Sequence, residues 1–551
     1  MKGLKYLAFI PIFMLALGCH GGLVGNISLI QGPDRLTETN HAEFSVKVIG
    51  YTDVTYLWGC DPVEAGYFDR VDLDHAVFVA NEVDEGTNAK IEVIITTTQK
   101  DTIIVKSIVI EDREGWVAHT GEGMSDIAIN GLNNIYTIGI ISRPYVFYGN
   151  EGAIPVVPLG FSDAIILRYD SDGDLLYVNT YGSDRREEGL DIEVNDNGEF
   201  YCLIKIWGEN GIEQPYFSIV KYNQIGQIDW VSGQVQGYAE DIGLDSNSGT
   251  IYVTGYYRGT VDFDPGGSNE DHKSVGYDIF LSRYNTDGEY QWTNTWGGKD
   301  SIFGDSGSQV IVDLYGDIYI AGVFCGNGVD FDCGIGIDIR NSIGPNDIFL
   351  SKLNANGGLI WTRTWGGESP LDYCYGFELD DENNVYVYGF CAGVTDFDPG
   401  PGLVQRIEGG NFVSKFNNYG DFEWVDIWDL WIWPLDISVD FLHNIYLTGI
   451  FRNTIDFNPG EGVDYREPYG GSSGFIVKID DMGEYEWSQT WDDSKGLIGI
   501  YAIATDLMGH IYLTGIGSNN FDFDPGDGYL TLRPEDEYYW FIMKMNSNGE
   551  I

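Results

Sequence analysis

Short runs of apolar residues, separated by turn-forming residues, recur along most of the chain. Within residues 113–551 one run occurs seven times: a Gly or Asn, a β-branched or aromatic residue, Tyr, two further residues and usually Gly, as in GDIYIAG. A second run, as in DIFLSKL, also occurs seven times and carries a basic residue near its end. Short β-branched and aromatic runs bounded by turns predict strands. Their repetition at long intervals predicts a repeat architecture.

Each repeat contains four predicted strands. Strand A is the run before the first turn, as in PLDISVDF, and strand B is the Ile-Tyr phrase. Strand C is the DIFLSKL phrase, and strand D carries an aromatic residue, as in YQWTNTW. The Asn/Asp-Gly pairs between strands C and D suit tight hairpins. Four strands in each of seven repeats predict an all-β fold, a seven-bladed β-propeller.

The count of strands also predicts how the propeller closes. The chain ends in MNSNGEI, where a last strand D should begin. The missing strand lies at the other end of the repeat region, in REGWVAHTGEG. We therefore expect residues 113–551 to form one propeller in which strand 113–121 pairs with the C-terminal strands, so that no sheet edge is left open.

The repeated phrases resemble those of the bacterial SBBP β-propeller family, whose units carry similar DIFLxKxxxxGxxxWxxTWGG and GNIYVTG phrases. This resemblance covers roughly 440 residues, from the strand around Trp116 to the C-terminus. The family implies a propeller but no single activity.

Residues 24–111 are predicted to form a separate small β-sandwich. Runs such as HAEFSVKVIG and KIEVIITTTQ are β-branched and partly alternating, with turns such as GPD between them. Six or seven strands in this length fit an immunoglobulin-like fold. Trp58 in YLWG, followed by an FVA strand, resembles bacterial PKD or Ig-like modules, which implies a spacer or an adhesion unit; we favour a spacer.

Residues 1–19 are predicted to be a lipoprotein signal peptide. Lys2 and Lys5 precede an apolar core that is too short to span a membrane. The ending ALGC resembles a bacterial lipobox, which implies that Cys19 becomes the lipidated first residue. The alternative is an ordinary secretory signal. The first interpretation places the protein in the bacterial cell envelope, at the outer membrane or surface, held by its lipid anchor; the second makes it a secreted protein.

The acidity of the chain excludes some partners. There are 85 acidic and 30 basic residues, so the formal net charge is −55. An acidic protein without a basic patch is a poor ligand for nucleic acid or for anionic lipid headgroups. Divalent cations, basic partners and a saline environment remain open.

Part of this acidity falls in loops between strands B and C, as in VDFDPGG and TDFDPGPG. In an extended chain, two acids separated by one residue point the same way, and the Phe between them points oppositely. One interpretation is calcium binding by these carboxylates and loop carbonyls; the other is structural, with Phe as an anchor and the acids as acceptors for turn amides. The candidate metal ligands are Asp262, Asp264, Asp330, Asp332, Asp396, Asp398, Asp456, Asp522 and Asp524.

Two further features could carry function. Trp428, Trp431 and Trp433 in WDLWIWP could stack on a sugar ring or a peptide, or could pack locally. Four cysteines are placed for disulfides, which exported proteins can keep. Cys374 and Cys391 flank the turn at 380–384, and Cys325 and Cys333 bracket a short loop; buried free thiols are the alternative.

No P-loop, dinucleotide fingerprint or HExxH motif occurs. The sequence therefore favours a non-catalytic surface lipoprotein whose propeller is a binding scaffold for a protein, a peptide or a glycan, with calcium as an optional aid. The alternatives are a polysaccharide hydrolase or lyase of the cell envelope that uses the propeller channel, and a structural envelope protein.

Overall fold

The structure, a computed structural model, divides the chain into two units, Met1–Glu114 and Gly115–Ile551. In the first unit it describes the backbone of the strands given below. In the second it describes residues 116–121, 123–149, 152–208, 214–267, 269–298, 304–369, 372–406, 409–428, 430–460, 462–468, 471–491, 499–518, 523 and 538–551. Among the described residues, no helical segment could cross a membrane.

In the first unit the strands form two main sheets. One has the order Arg35–Thr37, Asp101–Glu111, Thr87–Thr97 and Val54–Asp61; the other has the order His41–Ser45, His75–Ala80 and Gly66–Val71. A short ladder joins Asn26–Ile27 to Val48–Ile49. The assignment of this unit to the Ig-like class stays a prediction. The predicted signal peptide and Cys19 lie outside the described residues.

The second unit is a β-propeller of seven four-stranded blades, which confirms the predicted fold class. Blades 1 to 3 consist of Met124–Ile129, Ile135–Ile141, Asp163–Tyr169 and Leu175–Tyr181; Arg186–Val194, Phe200–Trp207, Tyr216–Tyr222 and Ile228–Val231; and Tyr238–Asp245, Thr250–Asp262, Asp271–Tyr284 and Tyr290–Trp296. Blades 4 to 6 consist of Ser306–Val312, Ile318–Phe324, Asp347–Leu353 and Leu359–Trp365; Tyr373–Leu379, Val385–Cys391, Gly410–Phe416 and Phe422–Trp428; and Ile432–Val439, Ile445–Phe451, Ser473–Ile479 and Tyr485–Trp491.

Blade 7 combines the two ends of the repeat region. Its strands A, B and C are Gly499–Thr505, Ile511–Ser518 and Tyr538–Met545, and its strand D is Trp116–Gly121. The pairing is antiparallel, with Trp116 opposite Lys544. Strand D at the start of the repeat thus completes the blade that the C-terminus leaves unfinished.

Short additional ladders form within the B–C loops and at the outer edge of blade 2. Small hairpins join Tyr145–Gly149 to Gly152–Val156, Asn327–Asp330 to Ile339–Asn341, Thr395–Asp396 to Gln405–Arg406, and Ile455–Asp456 to Tyr465–Arg466. In blade 2, Val235–Gln236 also pairs with strand C. In this meander the B–C and D–A loops share one face of the propeller, and the A–B and C–D turns share the other.

A row of three side chains crosses every blade. The basic residue of strand C lies opposite the Tyr of strand B and the aromatic residue of strand D, as Lys352 does between Tyr319 and Trp361. The Nζ atom of Lys352 is 4.6 Å from the centre of the Tyr319 ring, a cation–π geometry. The other six basic residues, Arg168, Lys221, Arg283, Lys415, Lys478 and Lys544, also lie over the Tyr of their own blade.

Aromatic residues of strand D join neighbouring blades. Trp230 donates its indole N–H to the carbonyl of Thr286 in the next blade at 2.9 Å. Its ring covers Gly288, whose φ of +77° and lack of a side chain allow this approach. At the end of strand D a second tryptophan is buried between blades, as Trp296 is against Phe331 and Phe349. The tryptophans of the TWGG tails, Trp296 and Trp365, thus pack between blades.

A candidate binding site at the mouth of the central channel

The acids of the B–C loops organise their own loops. One carboxylate oxygen of Asp396 accepts hydrogen bonds from the amides of Asp398 and Val404, at 3.2 and 2.9 Å. Asp398 in turn accepts from the amide of Gly400 at 2.7 Å. The intervening Phe397 is buried. The loops beginning at Asp262, Asp330 and Asp456 repeat the first pattern.

These bonds support the structural interpretation of the motif. In the part of the chain that the structure describes, no group of three or more acidic, His or Cys side chains is arranged to hold a metal ion. Asp522 and Asp524 lie outside the described residues. Calcium binding by these loops stays a prediction, and a calorimetric calcium titration that gives no heat would remove it.

The three tryptophans of WDLWIWP have different environments. Trp428 is only 3% exposed and donates its indole N–H to the carbonyl of Phe457 in the next blade, at 3.0 Å. Trp428 therefore corresponds to Trp296 and packs locally, which is one of the two interpretations that its sequence allows. Trp431 is 48% exposed and meets Trp433 edge to face, with ring centres 6.3 Å apart.

Neither candidate disulfide forms: Cys325, Cys333, Cys374 and Cys391 are free thiols, and all but Cys333 are buried. A β-bulge after Cys374 shifts the register of its strand. Cys374 lies opposite Gly389, and the register between Leu379 and Gly376 would otherwise place it opposite Phe390, so Cys391 is not its partner in either register. Burial raises the pKa of the Cys374 thiol to about 12, so this thiol stays protonated and unreactive near neutral pH.

A cavity of about 700 Å³ lies on the B–C/D–A face, between blades 3, 4, 5 and 6. A site of this size suits a small organic ligand or one or two residues of a larger one. Five aromatic side chains line it, and Glu240 lies in its wall. The aromatic residues are Tyr256, Tyr277, Tyr373, Tyr375 and Trp433.

A bulge in every strand A shapes the inner wall of the propeller. In blades 1, 2, 3 and 6 the residue after the bulge is an Asp, followed by Ile: Asp126, Asp191, Asp241 and Asp436. Each Asp accepts a hydrogen bond from a backbone amide of the next blade. The amide of Val310, for example, donates to Asp241 at 2.7 Å, and that of Ile503 donates to Asp436 at 2.7 Å.

The remaining blades vary this link. In blade 4, Gln309 takes the acid's place and accepts from the amide of Phe377 at 2.7 Å. In blade 5 the position is Gly376, and the hydroxyl of Tyr388 donates instead to the carbonyl of Leu435 at 2.9 Å. Blade 7 has Ala502 here. Our sequence reasoning missed this set, although the repeated Asp-Ile of strand A was a usable signal.

The carboxyl groups of strands A line a channel of about 560 Å³ that adjoins the cavity. Burial away from water, followed by repulsion from Asp191, raises the pKa values of Asp126 and Asp241 well above the usual range. Burial raises the pKa of Glu378 to about 8 and that of Asp436 to about 7. The channel thus holds carboxyl groups that are partly protonated near neutral pH.

Comparison with known proteins assigns no family to the chain. No family model matches the chain. The regulatory protein FlaEY of Caulobacter vibrioides is 27% identical over 177 residues, which cover 28% of this chain and 17% of that protein. The match therefore spans about a sixth of the relative's length.

The solved structures that match this chain have low TM-scores and low sequence identity. A protein of unknown function from Bacteroides thetaiotaomicron has a TM-score of 0.32 and 10% identity, covering 94% of this chain and 98% of that one. The Dos1 propeller has a TM-score of 0.37 and 7% identity, covering 78% and 93%. The exotype rhamnogalacturonan lyase YesX has a TM-score of 0.33 and 11% identity, covering 93% and 89%. None of these likenesses assigns a ligand here.

Proposed function

We propose that this chain is a non-catalytic binding module that takes its ligand in the cavity at the channel mouth. The observation that carries this proposal is the lining of that cavity, where five aromatic rings from blades 3, 5 and 6 surround an open space of about 700 Å³. Aromatic rings supply large contact areas at low conformational cost, which suits them to recognition.

The channel acids beneath the cavity support a binding role over a catalytic one. Asp126, Asp191, Asp241 and Asp436 each accept an amide from the next blade. A carboxylate held in this way contributes to joining the blades. The proposed partner class is a protein, a peptide or a glycan at the cell surface.

The binding role is tested on glycan and peptide arrays with the full chain. Tyr373→Ala and Trp433→Ala should each weaken a captured ligand at least about tenfold, since aromatic contacts are frequent hot spots. The matched control is Tyr315→Ala, which removes an exposed tyrosine from an A–B turn on the opposite face. Equal loss in all three variants, or none, would contradict the proposed site.

The proposal includes a cellular location, the bacterial cell envelope. The signal segment with Cys19 supports export and lipid anchoring, with residues 24–111 as a spacer. Labelled palmitate should enter the wild-type protein in its host but not a Cys19→Ser variant. Equal labelling of the two proteins would refute lipidation at this cysteine.

A second candidate function, a polysaccharide hydrolase or lyase, rests on Glu378. Its pKa of about 8, raised by burial and then by Asp436, would keep it protonated at pH 7 and able to act as a general acid. Release of reducing ends or of unsaturated products from envelope polysaccharides would establish this activity. Glu378→Gln should abolish it and leave the fold intact, because a Gln amide oxygen can still accept from the amide of Leu379.

A further inference from the structure

The cavity at the mouth and the channel below it are continuous. They share four lining residues, Glu240, Ser308, Tyr375 and Leu435, which are the bulge residues of strand A in blades 3 to 6. A ligand seated among the aromatic rings therefore has direct access to the carboxyl groups beneath.

The ionisable side chains that line the cavity and the channel, together called the path, are acidic or tyrosine and cysteine groups, so the path can carry only negative charge. The residues that line the channel include acidic side chains from five blades and no Lys, Arg or His. The residues that line the mouth include Glu240 and Asp305 and again no basic side chain. Asp305 is already used, since it accepts the amides of Gly298 and Cys325. An anionic ligand is therefore disfavoured, and a cation would meet carboxyl groups with no basic side chain among the lining residues.

The rings at the mouth are arranged for a cation as well. Tyr256 and Tyr277 meet at 83° with centres 5.5 Å apart. Cations of the protein itself already occupy ring faces here: Arg258 lies 5.9 Å from the centre of Tyr277, and Arg452 lies 5.4 Å from that of Trp433. The faces of tyrosine and tryptophan attract cations through the ring quadrupole.

We propose that the ligand of this cavity is an aliphatic amine, an ammonium group on a flexible alkyl chain, which passes between the rings of the mouth and places its charge among the channel carboxyl groups. This inference rests on the proposed binding function and names the chemistry of its ligand. Such an amine is carried by a free polyamine or by the lysine side chain of a peptide.

Binding should release protons. The titratable groups that face the channel come from blades 1, 2, 3, 5, 6 and 7, while blade 4 presents Ser308 and Gln309 there; Lys205 is the basic group that acts on Glu240. The mouth adds Asp305, Tyr256, Tyr277 and Tyr373, with Arg258 and Arg452 over two of its rings. Burial raises the pKa of Glu240 to about 7, as it raises those of Glu378 and Asp436. A nearby ammonium lowers these pKa values, so protons leave. The facing groups are Asp126, Asp191, Glu193, Glu240, Asp241, Tyr375, Glu378, Tyr388, Asp436 and Tyr501.

The test is calorimetric titration of the full chain at pH 7 and 150 mM salt, in two buffers of different ionisation enthalpy. The probes are spermine and trilysine, with fully acetylated trilysine and a neutral oligosaccharide as controls. We expect at least one amine to bind with a release of protons that the buffer difference reveals, and its affinity to rise between pH 6 and pH 8. Comparing spermine with trilysine distinguishes the free polyamine from the peptide source.

Variants separate the channel from the acidic surface. Glu378→Gln and Tyr373→Ala should each weaken the amine at least tenfold, whereas Asp287→Asn, in an exposed C–D turn on the opposite face, should not. Thermal melting establishes that the variants are folded. Amine binding without proton release, or equally strong in all variants, would overturn the inference. Binding of the neutral oligosaccharide alone, lost in Tyr373→Ala, would overturn the inference and leave the proposed binding function standing. If no probe binds and the arrays capture no ligand, both the inference and the proposed binding function are overturned.

Discussion

At the scale of single residues, one contact recurs at all seven blade junctions. A ring from strand D covers a glycine in the C–D turn of the next blade, and each of these glycines has a positive φ. A Cβ on Gly288 would lie 2.6 Å from the Trp230 ring, and one on Gly173 would lie 2.4 Å from Trp116. The glycines are therefore required twice, for the turn and for the junction.

Gly288→Ala should destabilise the propeller by about 2–4 kcal/mol, because it combines left-handed backbone strain with a collision between blades. Gly259→Ala is the matched control. Gly259 has a φ of +80° in the same blade, but a Cβ there meets nothing within 4 Å. Its cost should be about 1 kcal/mol, from backbone strain alone. Urea unfolding measures both, and equal losses would show that the contact with Trp230 does not matter.

Sequence predicted positions better than roles at this scale. The C-strand basic residues and the D-strand aromatic residues could be read from the repeat, since each occurs once per blade. Trp428 was grouped with Trp431 because the two are close in sequence. The strand in fact ends at Trp428, so its ring faces the next blade while Trp431 stands in the loop. Proximity along the chain does not reveal such a change of direction.

At the scale of strands, the register of strand A was the feature hardest to predict from the sequence. Its bulge displaces the register by one residue, and a one-residue change moves side chains to the other face. Pairing Cys374 with Cys391 relied on their rough symmetry about the turn at 380–384, but the register set by Leu379 opposite Val385 already misses Cys391 by one residue, and the bulge adds a second. The same bulge directs Asp191 and Asp241 to the next blade. The number and order of strands, in contrast, followed from periodicity, and the predicted seven four-stranded blades are confirmed.

The strand that closes the ring should decide whether the propeller is stable. Trp116 supplies the junction between blades 7 and 1, with its indole N–H on the carbonyl of Ser171 at 3.1 Å. Fragment 115–551 should melt cooperatively as a monomer. Fragment 123–551 should melt at a lower temperature and aggregate, because the edge of strand Tyr538–Met545 is then unpaired. Light scattering and thermal melting measure the difference, and identical behaviour of the two fragments would refute this role.

At the scale of the whole molecule, the net charge of −55 acts together with the buried acids to set the pH dependence of stability. Folding raises the pKa of Glu378 to about 8 and that of Asp436 to about 7, while in the unfolded chain both titrate near their ordinary values. Between about pH 4 and pH 8 the folded state therefore binds more protons than the unfolded state, and its stability falls as the pH rises. Asp506, whose pKa is lowered chiefly by hydrogen bonding to His510 against the effect of burial, acts oppositely but only at lower pH.

The melting temperature of the propeller should accordingly be lower at pH 8 than at pH 5, by at least about 3 °C. Repulsion among surface carboxylates acts in the same direction, but 0.5 M salt screens it and affects the buried groups much less. The decrease should therefore persist in high salt and should become smaller in the double variant Glu378→Gln plus Asp436→Asn, whose channel can no longer gain charge at these two positions. A decrease that salt removes would assign the effect to the surface instead, and an equal or higher melting temperature at pH 8 would contradict the raised pKa values of the channel.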